Sequence, residues 1–589
     1  MSATTPRWES KPASTLLDVR GDFPILEQSM NGKPLIYLDS GATTQKPRVV
    51  IEAMTRCYEQ QYANIHRGNY QLSMETTQAY ETARQKVADF LHVKDVGEIL
   101  FTKGTTESIN LVAHSLGRLL LKPGDEILIS TLEHHSNIVP WQLACEIHGA
   151  RLQVIPMNDA GELLLDEYRK LLTSRTRIVA VTHLSNALGT INDTEALARL
   201  AHEAGAVMVV DGAQWVAHHT TDIPRLDVDF YAFSGHKLYG PTGIGILYGK
   251  RHWLEKMPPY QGGGDMIKRV TFEKTTYADL PNKFEAGTPP IVEAVGLGAA
   301  IDYVSGIGMS RITQHEETLL KYLENHLQAV PGLRLVGTAS RKSGAVSFVL
   351  EKPDIAAYDV GHRLDVDGIA VRTGHHCCQP LMDRLGINAT VRASLGLYNR
   401  ASDIDSLVES LLALRKEQEH KSLSLPLSTE MDDIFPKPFG PSPQAVAEEL
   451  LEEFSLLEDW SDRYQYIMDL GNKLAPFPES ERKEENRVHG CQATVYLKAR
   501  KKPHSLDILD FHADANADIV RGLIAILQRL FSGQKSADIL AFDIEGFLEK
   551  LGLHQNLQLT RRNGLASMIQ RIRTLAHAIE ASCVECAKC

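Results

Sequence analysis

The strongest constraint on this chain is an alternation between Ile36 and Lys250. Short apolar runs recur there, separated by helix-like stretches. The runs Glu98–Thr102, Glu126–Ser130, Arg151–Ile155, Arg177–Thr182, Ala206–Asp211, Asp229–Ser234 and Gly245–Tyr248 read as strands, and a segment such as Thr194–Ala204 reads as a crossover helix. That rhythm predicts an α/β fold with a mostly parallel sheet covered by helices on both faces. Ligands in such sheets bind beyond the carboxyl ends of the strands. The residues just after each run are therefore the candidate site.

From about 300 to 416 the pattern changes. A helical stretch at Arg311–Ala329, strands near Ala345–Leu350 and Ile369–Arg372, and a helix at Ile404–Gln418 predict a smaller α+β lobe. Residues 420–443 then break all periodicity with Pro426, Pro436, Pro438, Pro441 and Pro443 among serines, which predicts a linker. A new apolar periodicity after Gln444 marks a separate α+β domain, and residues 581–589 form a cysteine-rich tail. The 589-residue chain carries a net charge of −12, which disfavours nucleic acid and anionic lipid as partners. No apolar run reaches the roughly 18 residues of a membrane span, and the N-terminus lacks a secretory signal pattern. Eight cysteines are too sparse for a disulfide scaffold and fit a reducing cytoplasm.

Several strand ends carry chemistry. Lys237, in Ser234-Gly-His-Lys-Leu-Tyr-Gly240, is a lysine at a strand end among small residues, which suits a Schiff-base role. Ser234 and His236 can donate to a phosphate beside it. Asp211 ends another strand and can hold a pyridine nitrogen protonated, with Gln214 near a ring oxygen. An N-cap is the simpler reading of such an aspartate. Gly104-Thr105-Thr106 opens a helix and forms a phosphate cradle. His134 follows a strand and suits stacking on an aromatic cofactor, and Asn186 falls at a further strand end.

The stretch from about Pro24 to Lys416 resembles a fold type I pyridoxal-phosphate enzyme of the class V aminotransferase group, and within it the SufS-type (group II) cysteine desulfurases. The motifs are Tyr37-Leu-Asp-Ser-Gly-Ala-Thr-Thr44, Asn64-Ile-His-Arg-Gly68, Gly104-Thr-Thr-Glu, Glu133-His-His, Asp211-Gly-Ala-Gln, Ser234-Gly-His-Lys, Phe284-Glu-Ala-Gly-Thr-Pro289 and Arg372-Thr-Gly-His-His-Cys377. The resemblance implies a large domain at about 36–300 and a small domain from the N-terminal segment and 301–419. It implies that Lys237 carries pyridoxal 5'-phosphate, Asp211 pairs with its ring nitrogen, and His134 stacks on the ring. Thr105, Thr106, Ser234 and His236 would hold the phosphate. Thr288 would reach the phosphate of a neighbouring subunit, so a homodimer is expected.

Cys377 stands among His375, His376 and Arg372 in a glycine-containing turn, where positive charge favours a thiolate. The family usually has alanine after this cysteine. Here Cys378 follows, leaving two thiols to choose between, with Cys377 favoured by its place in the motif. Arg392 resembles the arginine that grips the substrate carboxylate, with Asn186 assisting and Arg372 lining the pocket. The implied reaction takes sulfur from L-cysteine, releases alanine and leaves a persulfide on Cys377.

In the last domain, Asn486-Arg-Val-His-Gly-Cys491-Gln492 places a cysteine before the apolar run Thr494–Leu497. Residues 444–580 resemble SufE, the sulfur acceptor of this desulfurase group, through that segment, Asp514-Ala-Asn-Ala-Asp518 and Arg561-Arg-Asn-Gly-Leu565. His489 departs from the family's glutamine. The resemblance implies transfer from Cys377 to Cys491 on one chain and delivery to an iron–sulfur scaffold. The alternatives are a selenocysteine lyase and a last domain that only activates. No metal site is expected: Cys583, Cys586 and Cys589 have metal-like spacing but lack a fourth ligand, and an unstructured tail is the simplest reading of them.

Overall fold

A computed structural model describes residues 17–351, 354–423, 434–457, 460–488, 493–503, 505, 507–557 and 559–586. The chain divides into two compact units, the first made of Met1–Val349 and Gly361–Ala413, the second of Leu350–Val360 and Leu414–Cys589.

The first unit is built on a seven-stranded sheet. Its strands are β1 (Ile99–Thr102), β2 (Glu126–Ser130), β3 (Arg151–Ile155), β4 (Thr176–Thr182), β5 (Val207–Asp211), β6 (Phe230–Ser234) and β7 (Gly245–Gly249). Their order across the sheet is β1-β7-β6-β5-β4-β2-β3. The strands β2 to β6 run parallel, and β7 is antiparallel to both β1 and β6. Period-2 geometry explains why the central runs are largely apolar: successive side chains enter opposite layers, whereas the edge strand β3 leaves Arg151 and Val154 exposed. On β5, Val207 and Val209 join one core, whereas Met208 and Val210 join the other. On β4, Ile178 and Ala180 face one layer, Val179 and Val181 the other. The crossover helix Thr194–Glu203 starts where Asp193 Oδ1 accepts the Ala196 N–H at 3.1 Å.

The small lobe holds a second sheet of β8 (Leu333–Val336), β9 (Ala345–Glu351), β10 (Arg372–Gly374) and β11 (Thr390–Ser394), in the order β8-β9-β11-β10. Here one expectation fails. The run Ile369–Arg372 is not one strand: Ile369–Ala370 pairs in parallel with Ile36–Tyr37, while Arg372–Gly374 pairs with β11. The chain changes partner at Val371, and that switch brings the N-terminal Tyr37–Thr44 motif beside β11.

The second unit contains a three-stranded antiparallel sheet of β12 (Val495–Lys501), β13 (Ile508–Ala515) and β14 (Gln534–Lys535), in that order. Two helices, Trp460–Asn472 and Asp518–Phe531, cross at glycines. A Cβ on Gly522 would meet Ile467 O at 2.1 Å, so no other residue fits there. The proline-rich segment is structured at both ends. The helix Ala401–Leu423 enters it. Beyond residues 424–433, which lie outside the described residues, Ile434 is buried. The Arg500 guanidinium lies 4.0 Å from the Phe435 ring centroid, Gln534 Nε2 donates to Gly440 O at 2.9 Å, and Ser442 caps the helix Pro443–Ser455. At the far end the helix Leu559–Cys586 carries the backbone of Cys583 and Cys586, which corrects the expectation of an unstructured tail there. Its cysteine side chains and Cys589 lie outside the described residues. Among the described residues, no single helix is long and apolar enough to cross a membrane, and no cluster fits a metal.

Candidate active site

The carboxyl ends of β2, β4, β5 and β6 and the start of helix α1 (Thr105–Leu120) converge on one cavity of about 210 Å³. Its lining includes Thr105, Thr106, His134, Asn186, Asp211, Gln214, Ser234, His236, Lys237, Arg372, Cys377 and Arg392. The sequence expectations thus meet in space, with two exceptions. Thr288 is exposed and lines a separate groove with Tyr80, Phe101 and Glu285. Cys491 lies outside the described residues; nearby, Val488 N–H donates to Val495 O at 2.9 Å.

The anion cradle forms at the start of α1. Its N-cap is Gly104, which brings no side chain to the first-turn N–H groups. Thr105 N–H donates to Ser234 Oγ at 2.9 Å, and the two hydroxyls lie 2.7 Å apart. The cradle is tight because β7 begins against it: a Cβ on Gly245 would stand 2.4 Å from Gly104 Cα. His236 is pushed down to about 4 by burial, then by the charges of Lys237 and Lys46, so its ring is neutral at physiological pH. Lys46 Nζ donates to His236 O at 3.0 Å, and burial pushes that amine down to about 8.

At the centre, burial raises the Asp211 carboxyl, opposed by the Ala213 N–H on Oδ1 (2.9 Å) and by Lys237. Burial lowers the Lys237 amine, opposed by Asp211. Among the described residues no hydrogen bond or ion pair engages that amine. Gln214 Nε2 donates to Gly41 O at 2.7 Å. His134 is pushed down to about 3, by burial first and then by Lys237. Its Nδ1 accepts the Ser136 N–H at 3.1 Å, so the neutral ring carries its proton on Nε2. The donor set fits pyridoxal phosphate: hydroxyls and bare helix N–H groups for a phosphate, a buried carboxyl for a ring N–H, and an unbonded amine for a carbonyl carbon.

Arg392 is buried on β11. Its Nη1 donates to Asn186 O and its Nη2 to Asp39 Oδ1, both at 2.9 Å, while Nε is buried with no hydrogen-bond partner among the described residues. Asp39 Oδ2 also accepts from Arg372 Nε at 3.3 Å. Asp39 is therefore a site residue that the sequence reading left without a role. Its only signal was its place in the Tyr37–Thr44 motif.

The two adjacent cysteines differ sharply. Cys377 lines the cavity and is half-buried. Cys378 is fully buried among Leu132, Ala187, Leu188 and Met382, and burial pushes its thiol up to about 12. Its Sγ donates to Asn186 Oδ1 at 3.2 Å, and Asn186 Nδ2 donates to His376 O at 2.7 Å. Asn186 thus braces the cysteine turn. In that turn His376 and Cys377 both have left-handed backbone, at φ of 53° and 57°. For non-glycine residues each costs on the order of 1–2 kcal/mol.

Comparison with known proteins follows the same division. Residues 36–407 match the family described as Aminotransferase class-V, and residues 448–576 match SufE, described as an Fe-S metabolism associated domain. The chain is 50% identical over 393 residues to a cysteine desulfurase of Synechococcus elongatus, a match covering 67% of this chain but 62% of that protein. The chain thus spans less than two thirds of that relative's length. It is 52% identical over 394 residues to a cysteine desulfurase of Dickeya dadantii, covering 67% of this chain and 95% of that one. The solved structure of the cysteine desulfurase CsdA from Escherichia coli superposes with a TM-score of 0.62 at 40% identity, over 68% of this chain and 98% of that one. Those relatives share the fold of the first unit, and the SufE match adds a second domain to it.

Proposed function

Because the chain belongs to the class-V aminotransferase family and carries a SufE domain, we propose that it is a pyridoxal-phosphate-dependent cysteine desulfurase that passes sulfur to its own second domain. The observation that carries this reading is the meeting of Lys237, Asp211, Arg392 and Cys377 in one cavity. Thr105, Thr106, Ser234 and His236 would hold the phosphate, Asp211 and Gln214 would meet the ring edge, and His134 would stack on its face. When bound, the cofactor supplies an electron sink for the pair left at Cα.

The chain's own residues do the rest. Arg392, with Asn186 and Arg372 beside it, receives the carboxylate of L-cysteine. Lys237 is the base for the Cα proton, since its amine is held below the ordinary lysine range by burial. The Cys377 thiolate attacks the substrate Sγ: an S–S bond forms, the Cβ–S bond breaks, and its electron pair stays with the carbon. Protonation gives L-alanine, and Cys377 keeps a persulfide. Of the two thiols, the cavity position of Cys377 and the buried, protonated state of Cys378 favour Cys377 as nucleophile. Attack by the Cys491 thiolate on the outer sulfur would move the persulfide and return Cys377 as a thiolate. Tethering makes that encounter intramolecular, with an effective concentration of about millimolar. An iron–sulfur scaffold would be the downstream acceptor, in the reducing cytoplasm.

A homodimer is part of this reading. Its support is a set of exposed apolar and aromatic side chains within residues 49–74, among them Tyr58 and Met74 at 60% and 59% exposed, with the Tyr58 and Tyr62 rings 5.4 Å apart. Thr288 is exposed as well.

Peptide mass spectrometry after incubation with cysteine and no reductant tests the proposal. Extra sulfur is expected on Cys377 and Cys491, and loss of both in Cys377→Ser. Sulfur on Cys377 alone would reduce the second domain to an activator. Sulfur on neither would overturn the reading.

A further inference from the structure

The cysteine turn is held by two histidines that the reaction above does not use. His375 Nδ1 accepts the Cys377 N–H at 3.0 Å. The His135 backbone N–H donates to Cys377 O at 2.8 Å. The His135 ring then reaches past Cys378, and its Nε2 accepts the Gln379 N–H at 3.0 Å. Gln379 begins the helix Gln379–Leu385, whose N-cap, Cys378, makes no side-chain capping bond, so the imidazole takes over part of that task. The two rings lie 5.6 Å apart at 37°. Both peptide groups flanking Cys377, and the amide two residues on, are thus held by this pair.

That grip bears on orientation. His376 and Cys377 are non-glycine residues in left-handed backbone, a state that persists only where the surroundings over-determine it. Relaxing either residue to the right-handed or extended region would swing the Cys377 side chain off its present line into the cavity. Backbone N–H groups only donate, so each histidine must serve through an unprotonated ring nitrogen: Nε2 of His135 and Nδ1 of His375.

We propose that His135 and His375 form a clip that holds the Cys377 turn in its left-handed form and so aims the thiol at the substrate sulfur; both are positioning residues. The proposal rests on the desulfurase reading given above. The clip acts on the attacking thiol. None of its bonds involves Arg392, Arg372 or the groups that would bind the cofactor. Loss of the clip therefore lowers kcat and spares KM. A misplacement of about 1 Å is enough to cost on the order of 100-fold in rate.

The test uses the full-length holoenzyme with L-cysteine and a dithiol reductant, scored by alanine formation. His375→Phe and His135→Phe keep a ring and lose the acceptor. His375→Asn and His135→Gln place an amide oxygen near the lost nitrogen. The Phe variants are expected to lose about 10- to 100-fold in kcat with KM within about 3-fold, and the amide variants to recover most of that loss. Each variant is first checked for cofactor absorption. Should a Phe variant fail to fold, His375→Ala and His135→Ala replace it. Phe variants with wild-type kcat, amide variants no better than Phe, or a loss confined to KM would each overturn the clip. If the wild-type protein itself forms no alanine, the desulfurase reading has failed, and the clip with it.

Discussion

The two units offer a comparison between one uncommitted amine and a set of paired charges. In the first, one amine is left uncommitted inside a cavity: no hydrogen bond or ion pair engages Lys237 among the described residues, while Arg392 beside it is held by Asn186 O and Asp39. In the second, charges on and beside the sheet are matched to one another. Asp514 pairs with Arg482 and Arg521 at 3.2 and 2.9 Å, Glu481 with Lys498 at 2.6 Å, and Glu453 takes both terminal nitrogens of Arg529 at 2.9 and 3.1 Å. Buried groups without partners are costly. Holding one such amine just beyond the end of β6 makes sense where a ligand will complete it. The second unit also has buried atoms without a hydrogen-bond partner among the described residues, Asp514 Oδ1 and Arg529 Nε included, so it is the amine that sets the cavity apart.

Lys237→Ala is the harshest test of this contrast. It removes the proposed base, and alanine formation from cysteine is expected to fall by at least about 10³-fold. Unfolding of the second unit is expected to be unchanged. Alanine release together with thermal unfolding followed by hydrogen exchange at β12 and β13 would read both. Appreciable residual turnover would show that the uncommitted amine is not the centre of the chemistry.

The reciprocal change is Asp514→Asn, which at nearly constant volume strips Arg521 of its counter-charge and leaves Arg482 the exposed Glu479. Breaking a fully buried pair costs about 3–5 kcal/mol. These arginine side chains are 34% and 24% exposed, so solvent screens them and about 1–2 kcal/mol is expected. Exchange in β13 should accelerate accordingly while alanine formation stays at the wild-type rate. A loss of alanine formation would mean that the second unit's charges serve more than its own stability.

The sequence was most readable where one period governs. The strands β1 to β7 could be placed within a residue or so, because all but the edge strand β3 are buried on both faces and several end in polar residues at the cavity. Contacts that join distant positions left no such trace. Asp39 gains its place only because the chain switches sheets at Val371 and lays Arg372 and Arg392 against it. In the sequence Cys377 is favoured over Cys378 by its place in the motif alone, since adjacent thiols have the same composition around them; burial of one and the cavity position of the other add a physical difference. The proline-rich segment hides the contacts made at its end. Ile434, Phe435 and Phe439 were the signal that 434–442 packs, but prolines dominate any periodicity there.

The weakest effect concerns a seam within the first unit. Asp367 accepts from Lys33 Nζ, from Ser410 Oγ at 2.6 Å and from Arg363 Nε at 3.0 Å, tying the N-terminal segment to the small lobe. Burial alone would raise its carboxyl, but these three partners outweigh burial and push it down to about 2. A carboxyl lowered in the folded state stabilises the protein above its unfolded value of about 3.9, and that contribution is lost as pH falls from there through about 2. Lys33 is 51% exposed and Arg363 27%, so screening leaves about 1 kcal/mol or less. In Asp367→Asn, first-unit stability is expected to be lower than wild type at pH 6 and to converge on it near pH 2. Acid titration of the near-ultraviolet circular dichroism would show this as a smaller slope between pH 4 and 2 in the variant. Parallel wild-type and variant curves over that range would show that the seam is held by packing and not by charge.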